Sequence, residues 1–166
     1  MRIEGRAWVF PANITTEDIL PNQFLDRANH EVGQFAMAGV DSEFVGKVQP
    51  GDVIVGGPNF GTGSSRETAA IALKLAGIGA VVAPSLGRVF FRNCINIGLP
   101  AVIIDATDDF QEGDHVLVDL ETHIFTNHRT GTDYPIRNLA GISLEILQAG
   151  GIIPYTKQRQ AKRDGN

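Results

Sequence analysis

The strongest constraint on the fold is a regular alternation of apolar runs and helical segments between residues 53 and 104. Three of these segments are apolar runs of strand length, at residues 53–56, 78–83 and 100–104. Residues 66–76 and 85–97 separate these runs, and both carry helical apolar residues and are followed by a glycine. Strands that alternate with helices in this way predict a βαβαβ unit whose strands pair in parallel.

The segments on both sides of this unit add strands and short helices. Residues 2–10 are predicted to form a strand, residues 11–21 an irregular loop and residues 31–38 a short helix. In the last third, two strand-like runs and a later turn at Arg129-Thr130-Gly131 indicate an antiparallel meander. An amphipathic helix over residues 142–149 is predicted to close the fold.

Together these elements predict an α/β fold with a mixed sheet. At 166 residues the chain is long enough to bury a hydrophobic core, and we expect one domain over residues 1–166. The basic residues near the end lie in the segment 157–166, which we expect to form a frayed, solvated tail.

The composition argues against several classes of protein. The formal net charge of −5 disfavours a nucleic-acid-binding surface, and every apolar run is far shorter than a membrane span. Glu4 and Arg6 stand where a signal peptide needs an unbroken apolar core, so we expect a cytoplasmic protein. The single cysteine, Cys94, excludes an internal disulfide and a cysteine-ligated cluster held by this chain alone.

The best candidate for a functional site is the glycine-rich segment 57–67, with the sequence GPNFGTGSSRE. Its glycines allow backbone N–H groups to converge on an anion, and a helix that begins near Ser65 would direct its positive dipole end to the same point. Arg66 adds a charged, planar fork that matches a carboxylate or phosphate. The segment therefore indicates a carboxylate- or phosphate-binding turn with hydroxyl groups available for chemistry.

A purely structural interpretation of the same segment is equally compatible with its spacing. In that interpretation Ser64 caps the helix and Arg66 pairs with Glu67 or Glu43. The segment is not a Walker loop, because no lysine follows its glycines at the required position. It also lacks the third glycine of the dinucleotide-binding fingerprint.

Other polar residues give weaker signals. The histidines, His30, His115, His123 and His128, are scattered and show no triad or metal-ligand spacing, which favours ordinary surface positions. Ser85 is a candidate helix cap, and Cys94 is expected to be a small apolar core residue. Arg88 and Arg92 lie four residues apart on one helix face and could bind surface acids or the same anion as Arg66.

Three pieces in this order resemble one family. They are the loop at residues 13–21, the segment Asn59-Phe60-Gly61-Thr62-Gly63-Ser64-Ser65-Arg66-Glu67, and residues 85–100. The chain resembles the small subunits of isopropylmalate isomerase and homoaconitase, which are equivalent to the swivelling C-terminal domain of aconitase. The resemblance covers nearly the whole chain and implies an aconitase-type fold of three layers, β/β/α, around the mixed sheet.

The resemblance also implies an activity, and it implies that the active site is shared between two subunits. It implies a hydro-lyase, active only with a large subunit that carries a [4Fe–4S] cluster, in a heterodimer or heterotetramer; this chain itself would hold no cofactor or metal. Ser64 matches the catalytic serine, which as an alkoxide removes a proton next to a carboxylate. Ser65 and Arg66 match substrate-carboxylate binders, and Thr16 and Glu17 lie where the family has a Thr-Asp pair near the site.

Departures from the family pattern bear on the substrate. Thr62 and Thr68 replace the usual cysteine and histidine, and the loop after Pro21 differs from the usual specificity loop. In that loop Asp26 would repel a third carboxylate, whereas Arg27 could attract one. These features favour an alkyl-substituted malate, with 3-isopropylmalate of leucine biosynthesis as the best candidate. The alternatives are citramalate, 2,3-dimethylmalate, a homoaconitate-type tricarboxylate, or a carboxylate-binding module without catalysis.

Overall fold

A computed structural model describes residues 1–164 of the chain, which form a seven-stranded mixed sheet flanked by helices. The strands are β1 Arg2–Phe10, β2 Val53–Gly56, β3 Ala80–Ala83, β4 Ala101–Ile103, β5 His115–Asp119, β6 Ile124–Asn127 and β7 Thr132–Pro135. The α-helices are α1 Thr16–Ile19, α2 Phe44–Lys47, α3 Thr68–Leu75, α4 Arg88–Ile97, α5 Ile142–Gln148 and α6 Ile152–Asp164. Two short 3₁₀ helices cover Asn22–Phe24 and Val32–Phe35.

The order of the strands in the sheet is β4-β3-β2-β1-β5-β6-β7. The first four strands in this order pair in parallel, with Trp8 opposite Ile54 and Val81 opposite Ala101. This confirms the predicted βαβαβ unit, in which α3 and α4 connect β2, β3 and β4. Because parallel strands end at the same edge of a sheet, the loops that follow β1, β2 and β3 lie side by side.

The predicted antiparallel meander is also confirmed. β5 pairs antiparallel with β1, and β6 and β7 follow as successive antiparallel neighbours. β1 is therefore the strand at which the sheet changes from parallel to antiparallel pairing.

Two hydrophobic clusters define the layers. In one cluster, Ile54 of β2 packs with Leu73 of α3 and with residues of α4 on the helix-covered face. In the other, Val53 of β2 packs with Val116 and Phe125 of the antiparallel strands. Neighbouring residues of β2 thus face different layers, as side chains alternate along a strand. The curled sheet has antiparallel strands, parallel strands and helices in successive layers, which is the expected β/β/α arrangement.

Several local expectations differ from the structure. The helix expected over residues 31–38 is a 3₁₀ helix of four residues, and the loop at residues 11–21 contains the short helix α1. The segment expected as a frayed tail forms part of α6 as far as Asp164, while residues 165 and 166 lie outside the described part. The side chains at positions 157–163 are all exposed, so the helix there projects from the core.

Candidate functional site

Two of the segments singled out in the sequence pair with each other at the edge of the parallel strands. The loop after β1 and the loop after β2 exchange backbone hydrogen bonds. The Thr16 N–H donates to the Thr62 carbonyl at 2.8 Å, and the Gly61 N–H donates to the Ile14 carbonyl at 2.7 Å. Thr15 caps α1 through a reciprocal pair of hydrogen bonds with Asp18. This cap fixes the direction in which Thr16 enters the site.

Ser85 anchors the glycine-rich loop instead of capping α4. The cap position of α4 is Gly87, which makes no side-chain cap hydrogen bond. The Ser85 hydroxyl accepts the Asn59 N–H at 2.8 Å, and its carbonyl accepts the Phe60 N–H at 3.1 Å. The predicted capping role is therefore wrong, because α4 begins at Arg88, two residues too late for a cap at Ser85, and the hydroxyl accepts from the neighbouring loop instead.

Gly61 allows the loop to pass directly over α4. Its φ of +75° is in the left-handed region, and a Cβ at this position would lie 2.3 Å from the ring of Phe90. Only a residue without a side chain fits such a contact.

Gly61→Ala is expected to destabilise the chain by about 3 kcal/mol, the sum of left-handed strain and overpacking. Gly113→Ala is the matched control, since Gly113 has a φ of +84° and open space around its Cβ position. The control should cost about 1 kcal/mol, from strain alone. Urea denaturation measures both, and equal losses would contradict the Phe90 contact as the cause.

Ser64 lies at the centre of the loop, where two polar side chains meet its hydroxyl. Arg66 Nε donates to Ser64 Oγ at 2.6 Å, and Thr16 Oγ1 lies 2.9 Å from the same oxygen. Thr16 Oγ1 also accepts the Ser64 N–H at 3.1 Å. Thr16 is buried whereas Ser64 is exposed, so the hydroxyl is held from below and faces solvent.

Arg66 is held in place by neutral groups. Besides Ser64, its guanidinium donates to Asn22 Oδ1 at 2.8 Å and to the Leu20 carbonyl at 3.3 Å. Asn22 in turn donates to Glu17 at 2.7 Å, which links that carboxylate to the same network. Neither ion pair of the structural interpretation, with Glu67 or Glu43, is present among residues 1–164. A guanidinium without a carboxylate partner keeps its charge available to an anion.

The helix that follows begins later than predicted. α3 starts at Thr68 with Glu67 as its cap, so Ser64 and Ser65 belong to an irregular segment ahead of it. Ser64 therefore does not cap the helix. The buried Thr68 hydroxyl has no hydrogen-bond partner within the described residues, and Thr62 donates to the Asn59 carbonyl at 3.3 Å.

The structure brings together most of the predicted site residues. Ser64, Arg66, Thr16 and Glu17 share one hydrogen-bond network, and Ser65 adjoins it with an exposed side chain and a carbonyl that accepts from Asn93 at 3.3 Å. Arg27 lies outside this network, with its guanidinium 5.8 Å from the centre of the Phe35 ring.

A surface depression of about 280 Å³ adjoins Ser64 and Ser65 and includes Arg88 in its lining. Arg88 is exposed and has no salt bridge within residues 1–164. Arg88 is therefore the arginine that supplies a positive charge to this depression, whose lining includes neither Arg66 nor Arg92.

Sequence reasoning overlooked Asn22, which is the link between Arg66 and Glu17. The only available signal was its position directly after Pro21, at the start of the 3₁₀ helix. An asparagine side chain has both a donor and an acceptor, and so can join a guanidinium to a carboxylate.

Cys94 is fully buried in the core, and burial raises the pKa of its thiol. A buried, protonated thiol is not available as a thiolate ligand to a cluster. Apart from Glu17, whose carboxylate accepts a hydrogen bond from Asn22, the residues of the site supply hydroxyl, amide and guanidinium groups, which suit an anionic organic ligand better than iron.

Comparison with known proteins identifies the family. Residues 10–106 match the family model described as the aconitase C-terminal domain. The 3-isopropylmalate dehydratase small subunit of Nautilia profundicola is 45% identical over 157 residues, which cover 94% of this chain and 95% of that protein. The isopropylmalate/citramalate isomerase small subunit of Methanocaldococcus jannaschii is 46% identical over 162 residues, 96% of each chain. The chain belongs to the family of 3-isopropylmalate dehydratase small subunits.

A solved structure agrees with this assignment. The crystal structure of 3-isopropylmalate dehydratase from Methanocaldococcus jannaschii superposes with a TM-score of 0.95 at 41% identity, over 99% of both chains. The predicted aconitase-type α/β fold is therefore confirmed. The relatives are named small subunits, which implies that members of this family have a large-subunit partner.

In the described residues, no helix combines the length and apolar character needed to cross a membrane. The cytoplasmic location expected from the sequence stays a prediction.

Proposed function

We propose that this chain is the small subunit of a heteromeric hydro-lyase that converts 3-isopropylmalate to 2-isopropylmalate in leucine biosynthesis. In this proposal it supplies the serine base and the carboxylate-binding arginine to a large subunit. The observation that supports it most is the exposed Ser64 hydroxyl, held by Arg66 at 2.6 Å and Thr16 at 2.9 Å.

The environment of Ser64 favours its anionic form. Thr16 Oγ1 already accepts the Ser64 N–H, so its own hydroxyl hydrogen can point at Ser64 Oγ. Together with the Arg66 N–H, two donors then stabilise negative charge on that oxygen, as in an oxyanion site. With these two donors the serine could form an alkoxide without a histidine base beside it.

We assign the proton transfer to Ser64 Oγ. The alkoxide takes a proton from the carbon next to a substrate carboxylate, and the electrons of that C–H bond form a carbon–carbon double bond. The hydroxyl of the adjacent carbon leaves with the electrons of its C–O bond. The hydroxide then adds to the carbon that lost its proton, and Ser64 returns that proton to the carbon that lost the hydroxyl. This exchange of hydrogen and hydroxyl completes the isomerisation and restores the alkoxide.

Substrate binding is assigned to the groups around this oxygen. Arg66 and Ser65 would bind one carboxylate, with Arg88 as a further cation at the rim of the depression. Thr16 holds Ser64, and Glu17 positions Arg66 through Asn22. Arg27 would contribute only after movement of its loop, since it now stacks on Phe35.

The partner is proposed to be a large subunit with a [4Fe–4S] cluster, which would supply a Lewis acid for the leaving hydroxyl. The exposed face around Ser64 is consistent with an active site completed by another chain. Of the alternatives, citramalate is the best second substrate, because the 46% identical Methanocaldococcus jannaschii relative is named an isopropylmalate/citramalate isomerase.

The test is anaerobic reconstitution with the large subunit of the same organism and a panel of substituted malates. Turnover of 3-isopropylmalate supports the proposal. Turnover of only citramalate, 2,3-dimethylmalate or homocitrate would change the substrate and leave the assigned residues in place. Tight carboxylate binding by this chain alone, without turnover in the complex, would favour the binding module.

Arg66→Lys is expected to raise KM about tenfold or more, because an ammonium replaces a fork that can bind a carboxylate through two hydrogen bonds. A smaller loss in kcat should accompany it, since the Nε contact to Ser64 is also lost. Steady-state kinetics of the reconstituted enzyme measure both. Arg159→Lys, the same exchange on the exposed α6, is the control, and an unchanged KM in Arg66→Lys would contradict the carboxylate clamp.

A further inference from the structure

A second cluster of polar side chains lies on the exposed face of the antiparallel strands. Glu4 of β1, His115 of β5 and His128 directly after β6 are all exposed, and one ligand atom from each lies within 4.8 Å of the others. This face is separate from the edge of parallel strands where Ser64 lies.

The register of the strands places these three side chains together. Arg6 pairs with His115, so Glu4 lies two residues further along β1 on the same face. The β5–β6 ladder pairs Val116 with Asn127, and beyond that pair the His128 N–H donates to the His115 carbonyl at 2.9 Å. Three neighbouring segments of one sheet therefore supply one side chain each.

The distances suit a small transition-metal ion. His115 Nε2 lies 3.4 Å from Glu4 Oε1, and the two imidazole rings stack with centroids 5.1 Å apart. Ligands at 2.0–2.1 Å from a tetrahedral zinc ion are about 3.3 Å from each other. The distance between Glu4 and His115 is thus already that of two ligands on one zinc ion. Rotation of the exposed His128 side chain would bring in the third ligand.

The neighbouring charges do not oppose a cation. Arg2 and Arg6 flank Glu4 on β1, but each is paired with a buried carboxylate, Asp119 at 2.8 Å and Asp52 at 2.7 Å. Arg129, next to His128, is paired with Asp114 at 2.6 Å. The arginine charges are therefore largely neutralised, and the Glu4 carboxylate is left for the ion.

We propose that Glu4, His115 and His128 form a surface site for a divalent transition-metal ion, with zinc as the best match. Two imidazoles and one carboxylate form a zinc ligand set with an open fourth position for water. Calcium and magnesium prefer oxygen ligands and would not use the imidazoles. Bound metal would join β1 to β5 and the end of β6, and so stabilise the antiparallel part of the sheet.

The test is calorimetric titration of Zn²⁺ into the full chain without an affinity tag. One ion is expected to bind per chain, and Glu4→Gln, His115→Ala and His128→Ala should each weaken binding about tenfold or more. His30→Ala is the matched control, because His30 is exposed and lines a different depression, together with Gly33 and Leu75. It should bind zinc like the parent chain.

A second readout makes the result independent of heat signals. With Co²⁺ in place of zinc, the parent chain should show visible absorption bands of a low-coordinate site, and His128→Ala should lose them while keeping its circular dichroism spectrum. Absence of saturable binding, or equal binding by His115→Ala and the parent chain, would overturn the proposal.

Discussion

Replacing Ser64 with alanine is expected to lower kcat of the reconstituted enzyme by about 10²- to 10⁴-fold, the usual contribution of a positioned acid or base. Ser64 Oγ is the oxygen on which Arg66 and Thr16 converge, at 2.6 and 2.9 Å. The side chain is exposed, so its loss leaves no cavity and should not affect folding or assembly. Initial rates with 3-isopropylmalate, at substrate concentrations above KM, measure the effect.

Ser42→Ala is the control for this substitution, since Ser42 is also exposed but makes no hydrogen bond to the glycine-rich loop within the described residues. It should leave turnover unchanged. Gel filtration with the large subunit shows whether Ser64→Ala still assembles. A near-normal kcat in an assembled Ser64→Ala complex would rule out the serine as the base.

Asp52→Ala is expected to lower the free energy of unfolding by about 2 kcal/mol or more, because it removes a buried carboxylate that accepts several hydrogen bonds and leaves a buried donor without a partner. Asp52 is only 2% exposed. It accepts hydrogen bonds from the Arg6 guanidinium at 2.7 Å, the Trp8 indole at 2.9 Å and the Gln49 N–H at 2.9 Å. Alanine would leave the buried indole N–H without a partner.

The protonation of Asp52 makes the loss of stability in Asp52→Ala depend on pH. Burial raises its pKa, but the hydrogen bonds from Arg6, Trp8 and Gln49 outweigh that effect and hold the pKa below its ordinary value. Its contribution to stability is therefore present above the unfolded carboxyl pKa of about 3.9 and is lost as the pH falls through the lower folded value. Urea denaturation should show a large loss for Asp52→Ala at pH 7 and a smaller one near pH 3.

Glu43→Ala provides the comparison, because it removes an exposed ion pair with Lys47 at 2.6 Å. Such pairs contribute little to stability, so this variant should stay close to the parent chain. If Asp52→Ala were no more destabilised than Glu43→Ala, the hydrogen bonds that Asp52 accepts could not be a major source of stability.

The alternating elements of residues 53–104 were predictable because each has a local cause. Val53, Val81 and Val102 belong to short apolar runs that suit strands covered on both faces, and all are buried in parallel strands. The end of α4 was predictable from Gly98, whose φ of +75° is one that glycine adopts without strain. Such signals depend on only a few neighbouring residues.

The beginnings of α3 and α4 were less predictable. Ser64 and Ser85 both have the chemistry of a helix cap, yet each hydroxyl contacts a distant loop instead, with Thr16 and with Asn59 respectively. Local propensity favours a cap wherever a serine precedes a helix. Only the parallel arrangement of β1, β2 and β3 brings in the competing partners.

The cluster of His115, His128 and Glu4 was likewise not predictable from the sequence. His115 and His128 are 13 positions apart, and neither has a spacing typical of metal ligands. The β5–β6 register places them side by side, with Glu4 from the other end of the sequence beside them. A cluster of this kind depends on strand pairing, which sequence spacing does not reveal.

The sequence by itself determined the alternation of strands and helices, the glycines that make the loop after β2 possible, and the resemblance carried by residues 59–67. These are local properties, set by side-chain periodicity and by backbone conformations that glycine tolerates. The tertiary structure alone decided that Thr16 holds Ser64, that Asn22 joins Arg66 to Glu17, and that Asp52 binds Arg6 and Trp8. Those contacts join residues up to 48 positions apart, and they form because the parallel pairing of β1 and β2 brings distant segments together. The first two lie where the carboxyl ends of these strands meet, and the third lies at the opposite end, where β2 begins beside Arg6 of β1.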